Sequence, residues 1–485
     1  MSRRAVGGVA GAAGLIAVLT LLSRAAGFGR TLVFADSVRA SGIGDVYNAV
    51  NAVPNVVHEV AAGGALAALT VPLIAGHLGR GSRRDAYGVA STLLTWALVV
   101  LVPLSALVWV SAEPITTVLV GSAVVDGVET GTAMLRIFAV QIPLYGIGLV
   151  LAGVLHAHQR FAAVAVAPLL SSLVVIATYA AYGSIAQGAT TGVPEQAVSL
   201  LAWGTTAGVA ALALPLVVPA WRTGWRYRPS LRFPGGDAAR ARRLAGAGLL
   251  ALAAQQVAIV VTVRLAVARG EGEGALSVYT WIQAVVMLPY AVLVVPLATA
   301  AFPALAVRAA DTLEDVARST DEATRLLGRA FHITVLLGAF GALALLLTSP
   351  LVGAVFSFLD ARRGGGAVSG EAVPAMAAGL RAFAPGLVGF GVQALLTRAL
   401  YVRGRPLTAG LAVATGWLVG VAIPAVLLAT EAGAGRTVVV LGIGWSVGMT
   451  LAAGILVLLV VRHWGSGVLS GWSETVRYLG RRLRR

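Results

Sequence analysis

Apolar runs of twenty residues and more follow one another from end to end of this 485-residue chain, separated by short polar connections. About 20 consecutive apolar residues is the length an α-helix needs to cross a bilayer. In hydrocarbon every backbone N–H and C=O must be paired inside the protein, so runs of this length take the form of helices. They lie at about residues 8–34, 45–77, 87–111, 131–156, 161–182, 198–220, 244–268, 276–307, 329–349, 373–402, 407–429 and 437–461. With 58% of residues hydrophobic and 12% charged, the chain reads as an all-α polytopic membrane protein of about twelve transmembrane helices.

The formal charge of +16 would point to nucleic acid in a soluble protein, but the placement of the charge excludes that partner. All 36 basic residues are arginine. Twenty-five of them fall in the segments that lie on one side if Arg3 and Arg4 start inside, five fall in the opposite loops, and six lie within or at the ends of spans. Cytoplasmic loops carry the excess of basic residues, so the asymmetry predicts a multi-pass protein of the cytoplasmic membrane with both termini in the cytoplasm. The opening MSRR followed by apolar sequence reads as an uncleaved first helix, because no small-residue cleavage site follows it.

Chemistry is sparse. The absence of cysteine rules out disulfides and thiolate metal sites, and the six histidines have no ligand spacing, so neither a metal nor a cofactor is expected. The paired acids Glu314-Asp315 and Asp321-Glu322 are interleaved with arginines in a mixed-charge stretch, residues 309–329, that reads as a solvated helix linking spans eight and nine. The chain is therefore expected not to be an enzyme.

The longest basic loop, from Trp221 to Arg243, divides six runs from six. Residues 1–221 are read as an N-terminal six-helix bundle, 222–243 as a basic cytoplasmic linker and 244–462 as a C-terminal six-helix bundle. Residues 463–485, with Trp464, Trp472, Tyr478 and five terminal arginines, read as an interfacial tail. The tracts from Val46 to Ala75 and from Val278 to Ala306 both open on Val-Tyr and end near a proline about 25 residues on, with chance likeness between apolar tracts as the competing reading. If the repeat is real, an even number of helices per half relates the two bundles by a pseudo-two-fold axis along the membrane normal, around a central cavity.

Two charges stand where a span should have none. Arg24 and Arg30, in SRAAGFGR, are about 9 Å apart along a helix and roughly 120° apart around it. A guanidinium stays protonated and offers a planar fork suited to phosphate, and a charge at membrane depth faces water or a ligand rather than lipid. They are candidates for an anionic headgroup. In the alternative, Arg30 snorkels to the interface and Arg24 pairs with Asp45 or Glu59. Pro54, Pro143, Pro289 and Pro385 are candidate hinges, because a mid-helix proline removes one backbone hydrogen bond.

SRAAGFGRTLVFA, Asp45 and PNVVHEVAAGGALAALTVPL resemble the opening of the MurJ/MviN lipid II flippases of the multidrug/oligosaccharidyl-lipid/polysaccharide exporter superfamily, in their actinobacterial flavour. LRIFAVQIPLYGIGLVLAGVLHAHQRFAAVAVAPLL, VYTWIQAVVMLPYAV and LVGFGVQALLTRALYVRGRPLTA extend the likeness over most of the chain. The resemblance implies a MATE-like fold and a transporter that flips an undecaprenyl-pyrophosphate-linked peptidoglycan precursor, lipid II, by alternating access, with cell-wall synthesis proteins as possible partners. It implies that Arg24, Arg30 and Asp45 are functional charges. Two family arginines are replaced, one by His58, which reads alternatively as a hydrogen-bonded core histidine, and one by Ala284; Arg264 is the candidate to supply the missing charge, or else an interface anchor. The family commonly has fourteen helices against twelve read here, and its sodium site uses acids where span seven offers only Gln255 and Gln256. These departures keep two alternatives open: export of another polyprenyl-linked glycan or a drug, and a non-transporting scaffold of the same fold.

Overall fold

The computed structural model describes residues 3–61, 66–233, 249–294, 316–429 and 433–472, and the statements below concern these. They form helices α1 (Arg3–Ser37), α2 (Ile43–Val60), α3 (Leu66–Gly79), α4 (Arg83–Val110), α5 (Ala112–Leu119), α6 (Gly127–Ala139), α7 (Gln141–Ala157), α8 (Phe161–Ala186) and α9 (Glu195–Ala213). Beyond the midpoint come α10 (Leu249–Arg269), α11 (Ala275–Pro289), α12 (Val316–Arg362), α13 (Met376–Phe383), α14 (Gly386–Val402), α15 (Pro406–Leu427) and α16 (Ala434–Trp464). Among the described residues there is no strand. Ten helical stretches are long and apolar enough to cross a membrane, or eleven if the bent pair α13–α14 counts as one span. The remaining apolar run, 45–77, is occupied by α2 and α3, with 62–65 between them outside the described residues. Residues 234–243 of the linker, 309–315 of the mixed-charge stretch and the tail beyond 472, including Tyr478, also lie outside them.

The mixed-charge stretch differs from its sequence reading. From Val316 it runs without a break into span nine as one 47-residue helix rather than a separate linking helix. No proline interrupts it before Pro350, and Gly328 serves close packing: a Cβ there would stand 2.9 Å from the Val468 carbonyl oxygen.

By contacts the chain divides into two units. The first comprises Met1–Ala247 with Glu271–Ser277 and Phe356–Gly370; the second comprises Gly248–Gly270, Val278–Val355 and Glu371–Arg485. Both expose large apolar side chains, Val110 and Leu107 in the first and Leu347 and Leu458 in the second, as expected of surfaces solvated by lipid. With lipid tails as apolar as leucine, helix association relies on close packing of small residues. In the second unit Gly416 and Gly420 of α15 face Gly444 and Gly448 of α16. A Cβ on Gly448 would lie 2.4 Å from the Gly416 carbonyl oxygen, and one on Gly444 2.4 Å from that of Gly420. Farther along, Leu327 of α12, Leu396 of α14 and Leu456 of α16 close a core that includes Trp464.

Two spans are broken at prolines and patched by serines. Pro143 has no N–H to offer the Ala139 carbonyl, which instead accepts a 2.6 Å hydrogen bond from the Ser105 hydroxyl of α4. At Pro385 the α13–α14 pair bends by 48°. There the Ser446 hydroxyl of α16 is inserted into the ladder, accepting from Gly386 N–H at 3.1 Å and donating to the Ala382 carbonyl at 2.6 Å. Of the other candidate hinges, Pro54 is buried within α2 and Pro289 ends α11, where a π-helical turn, Tyr290–Val294, follows.

Ring contacts recur between the halves. In the first unit Tyr47 meets Phe138 at 5.7 Å and His58 meets Tyr145 at 4.3 Å. In the second, Tyr279 meets Phe383 at 5.6 Å and Tyr290 meets Phe390 at 4.6 Å. Tyr47 and His58 have the same spacing along α2 as Tyr279 and Tyr290 in the second Val-Tyr tract.

Candidate functional site

The middle of α1 is held against α8 by packing and by the Ser23 hydroxyl, which donates to the Ala165 carbonyl at 3.0 Å. Arg24 and Arg30 are both exposed, and neither has an ion-pair partner among the described residues. The pairing of Arg24 with Asp45 or Glu59 is therefore not seen. From Phe34 to Tyr47, by contrast, every residue is buried. The first unit also holds the phenol groups of Tyr47, Tyr145 and Tyr179, all buried. These form a polar seam: Tyr47 Oη lies 2.8 Å from Tyr179 Oη and 3.1 Å from Thr205 Oγ1, and Tyr145 Oη donates to Asn55 Oδ1 at 3.2 Å.

His58, standing where the resemblance places an arginine, is half-buried on α2 with its ring against Tyr145. Its Nδ1 has no hydrogen-bond partner among the described residues. Asn55 and Glu59 on the same helix are exposed. Arg24 and Arg30 on α1 and Asn55 on α2 thus put polar groups on the surface of otherwise apolar spans of the first unit, with His58 half-buried and Tyr145 buried behind Asn55. Among the described residues no group of three His, Asp or Glu could hold a metal ion.

Asp45 stands apart from that surface. It is fully buried, and its carboxylate accepts hydrogen bonds from Gly274 N–H at 3.0 Å, Ser277 N–H at 2.9 Å and the Ser277 hydroxyl at 2.9 Å. It caps the first turn of α11 from outside the helix, where the unpaired N–H groups and the positive end of the helix dipole favour an anion. Asp45→Ala strands those donors and is expected to lower stability by about 2–4 kcal/mol, with Asp45→Asn losing less, in unfolding measurements on detergent-purified protein.

A second network, which sequence reasoning missed, lies beside it. Arg39 is buried at φ +71°, a conformation an arginine seldom adopts. Its guanidinium donates to the carbonyls of Asp360 at 2.7 Å, Gly188 at 2.8 Å and Ala367 at 2.6 Å. It also pairs with the Asp360 carboxylate at 3.7 Å. Asp360 in turn accepts from Ala40 N–H and from the N–H and hydroxyl of Ser369. Asp36 accepts from Arg362 at 2.5 Å and Arg363 at 3.0 Å. Residues 356–370 are thereby bolted to the end of α1. The sequence signal was only that Arg39, Arg362 and Arg363 fall in the loops the arginine count leaves sparse.

Arg264 belongs to the second unit, exposed on α10 with no ion-pair partner among the described residues, and Ala284 is half-buried on α11. Gln256, on the same helix as Arg264, is buried with both amide atoms unpartnered among the described residues.

Comparison with known proteins gives a consistent result. The sequence profile described as "Lipid II flippase MurJ" matches residues 34–480. The lipid II flippase MurJ of Burkholderia cenocepacia is 26% identical over 404 residues, covering 79% of this chain and 71% of that protein. The probable lipid II flippase MurJ of Rhizobium meliloti is 27% identical over 354 residues, covering 70% and 61%. Among solved structures, a lipid II flippase MurJ in an inward closed conformation superposes with a TM-score of 0.69 at 15% identity, over 94% of this chain and 90% of that one. An inward-facing MATE multidrug transporter of the MOP superfamily gives 0.68 at 16% identity, over 91% and 94%. At these identities the structures show a shared fold.

Proposed function

Since the chain belongs to the lipid II flippase MurJ family, we propose that it carries an undecaprenyl-pyrophosphate-linked peptidoglycan precursor across the cytoplasmic membrane by alternating access, as a transporter and not a catalyst. The observation that carries this reading is the pair Arg24 and Arg30 on α1, both exposed and without an ion-pair partner among the described residues. A guanidinium facing hydrocarbon costs several kcal/mol, so that face meets water or an anion, and a pyrophosphate offers two phosphates to two forks. Asn55 and His58 add hydrogen-bonding groups for sugar and peptide, while the polyprenyl tail stays in lipid. Arg264 is a further candidate contact from the second unit.

In this scheme Asp45 does not touch the headgroup. It and the Arg39–Asp360 network tie residues 271–277 and 356–370 into the first unit. The bend at Pro385 and the helix break just before Pro143, each carried by a serine hydroxyl, are the points where spans can flex, with Pro54 and Pro289 as lesser candidates. The arginine asymmetry supports cytoplasmic termini, and the recurring ring pairs support two bundles related by a pseudo-two-fold axis. Cell-wall synthesis proteins are the natural source and destination of the cargo. A second reading, transport of a different polyprenyl-linked anion, is favoured by His58 and Ala284, which remove two charges from the family pattern.

The test is genetic. In a bacterium depleted of its own lipid II flippase, expression of this chain is expected to restore growth and wall synthesis. Failure at normal membrane levels, with a close MurJ relative rescuing in parallel, favours the second reading.

A further inference from the structure

The first part of the basic linker is not a loose tract. Residues 222–232 lie along the start of α4, fastened by seven hydrogen bonds, one of them between the Thr95 and Tyr227 hydroxyls at 3.2 Å. The Tyr87 hydroxyl, Thr92 hydroxyl and Trp96 Nε1 donate to the carbonyls of Thr223, Arg232 and Leu231. Trp225 Nε1 and Arg228 N–H donate to Ser91 Oγ, and Ser230 N–H donates to Thr95 Oγ1. Trp225 is 1% exposed, so the segment is anchored by a buried indole as well.

This anchoring shapes a cavity of about 520 Å³ lined by Arg84, Arg226 and Arg228, with Ser91, Ser230 and one acid, Asp85. That volume is within the range of small-molecule sites, about 300–1,000 Å³. Asp85 accepts from the Ser82 hydroxyl at 2.5 Å and forms no ion pair with the three arginines. Arg226 donates to the carbonyls of Trp221 and Trp225, which fixes its direction, while Arg84 and Arg228 have no ion-pair partner among the described residues. Three positive charges face one negative charge in a concave site. Trp96, Tyr227 and Leu231 are exposed on the same two segments, and Trp221 just before the second, the aromatic and apolar composition found at the level of lipid headgroups.

We propose that this cavity binds the phosphate of an anionic phospholipid headgroup in the leaflet that the arginine asymmetry assigns to the cytoplasm. Basic pockets at that level suit such headgroups, and the guanidinium forks suit phosphate oxygens. The site is separate from Arg24 and Arg30, so it holds a resident lipid rather than the cargo. Only the naming of the leaflet rests on the orientation proposed above.

The experiment uses the full chain purified in neutral detergent, titrated with phosphatidylglycerol, phosphatidylcholine or inorganic phosphate, with binding read from the shift in thermal unfolding and from native mass spectrometry. Phosphatidylglycerol is expected to bind and stabilise while phosphatidylcholine does not. The triple substitution Arg84→Gln, Arg226→Gln, Arg228→Gln is expected to weaken phosphatidylglycerol binding about a hundredfold, at roughly fivefold per charge. Because Arg226 also braces the segment, the double variant Arg84→Gln, Arg228→Gln is measured alongside, with about a 25-fold loss expected on the same scale. Unchanged binding by both variants, or equal binding of phosphatidylcholine by wild type, overturns the proposal. Equal stabilisation by inorganic phosphate overturns the lipid and assigns the cavity to a soluble anion. None of these outcomes depends on transport, so the flippase reading stands or falls separately.

Discussion

Arg30→Ala is expected to abolish rescue of a flippase-depleted strain while leaving the protein folded and present in the membrane at wild-type levels. The side chain is exposed and has no ion-pair partner among the described residues, so its loss removes little from the fold, within about 0.5 kcal/mol. Its loss from a bound pyrophosphate is another matter. A charge-assisted hydrogen bond is worth about 1.5–3 kcal/mol, so affinity for the headgroup falls about tenfold to about a hundredfold. Tyr47, Tyr145 and Tyr179 are buried, and no tyrosine hydroxyl carries a charge to replace it. Arg30→Lys is expected to recover only part of the activity, because an ammonium cannot reproduce the planar fork. Arg24→Ala should behave in the same direction. Full rescue by Arg30→Ala at matched levels would remove this residue from the pathway.

The largest effect on stability is expected at Arg39. Arg39→Ala leaves three carbonyls without their donor and the fully buried Asp360 without its cation. Removing one partner of a buried pair costs about 3–5 kcal/mol, far more than the pair itself contributes. The backbone adds a sharper test. At φ +71° a side chain is strained by about 1–2 kcal/mol and glycine is not. Arg39→Gly is therefore expected to be less damaging than Arg39→Ala by about 1 kcal/mol, although it removes more atoms. Thermal unfolding in detergent measures both, and a double-mutant cycle with Asp360→Asn isolates the coupling. Equal stability of all three proteins would mean that the network contributes nothing.

The spans, the arginine asymmetry and the unusual pair on α1 were all legible in the sequence, because each is a local pattern: twenty apolar residues, a count of charges between them, a charge inside one. What escaped depends on partners far along the chain. Asp45 reads as a charge in a span, and only the approach of Gly274 and Ser277, more than two hundred residues on, turns it into a helix cap. Arg39 reads as one of a few outer-loop arginines, yet its acceptors come from residues 188, 360 and 367. The docking of the linker on α4 was hidden for the same reason, since basic sequence looks solvated until Ser91 and Thr95 are found to hold it. The fusion of the mixed-charge stretch with span nine was missed because charge changes there while helical periodicity does not. The serines at the two proline breaks carry no sequence mark, for Ser105 and Ser446 lie on other helices.

Movement of lipid II between leaflets is read without a cell in purified liposomes. The chain is reconstituted with labelled lipid II, and the headgroup fraction reached by a membrane-impermeant reagent is followed with time. Wild type is expected to expose the inner pool much faster than protein-free liposomes, with Arg30→Ala reduced toward that background. Wild type and protein-free liposomes exchanging lipid II at the same rate, with folded protein confirmed in the membrane, would contradict the account.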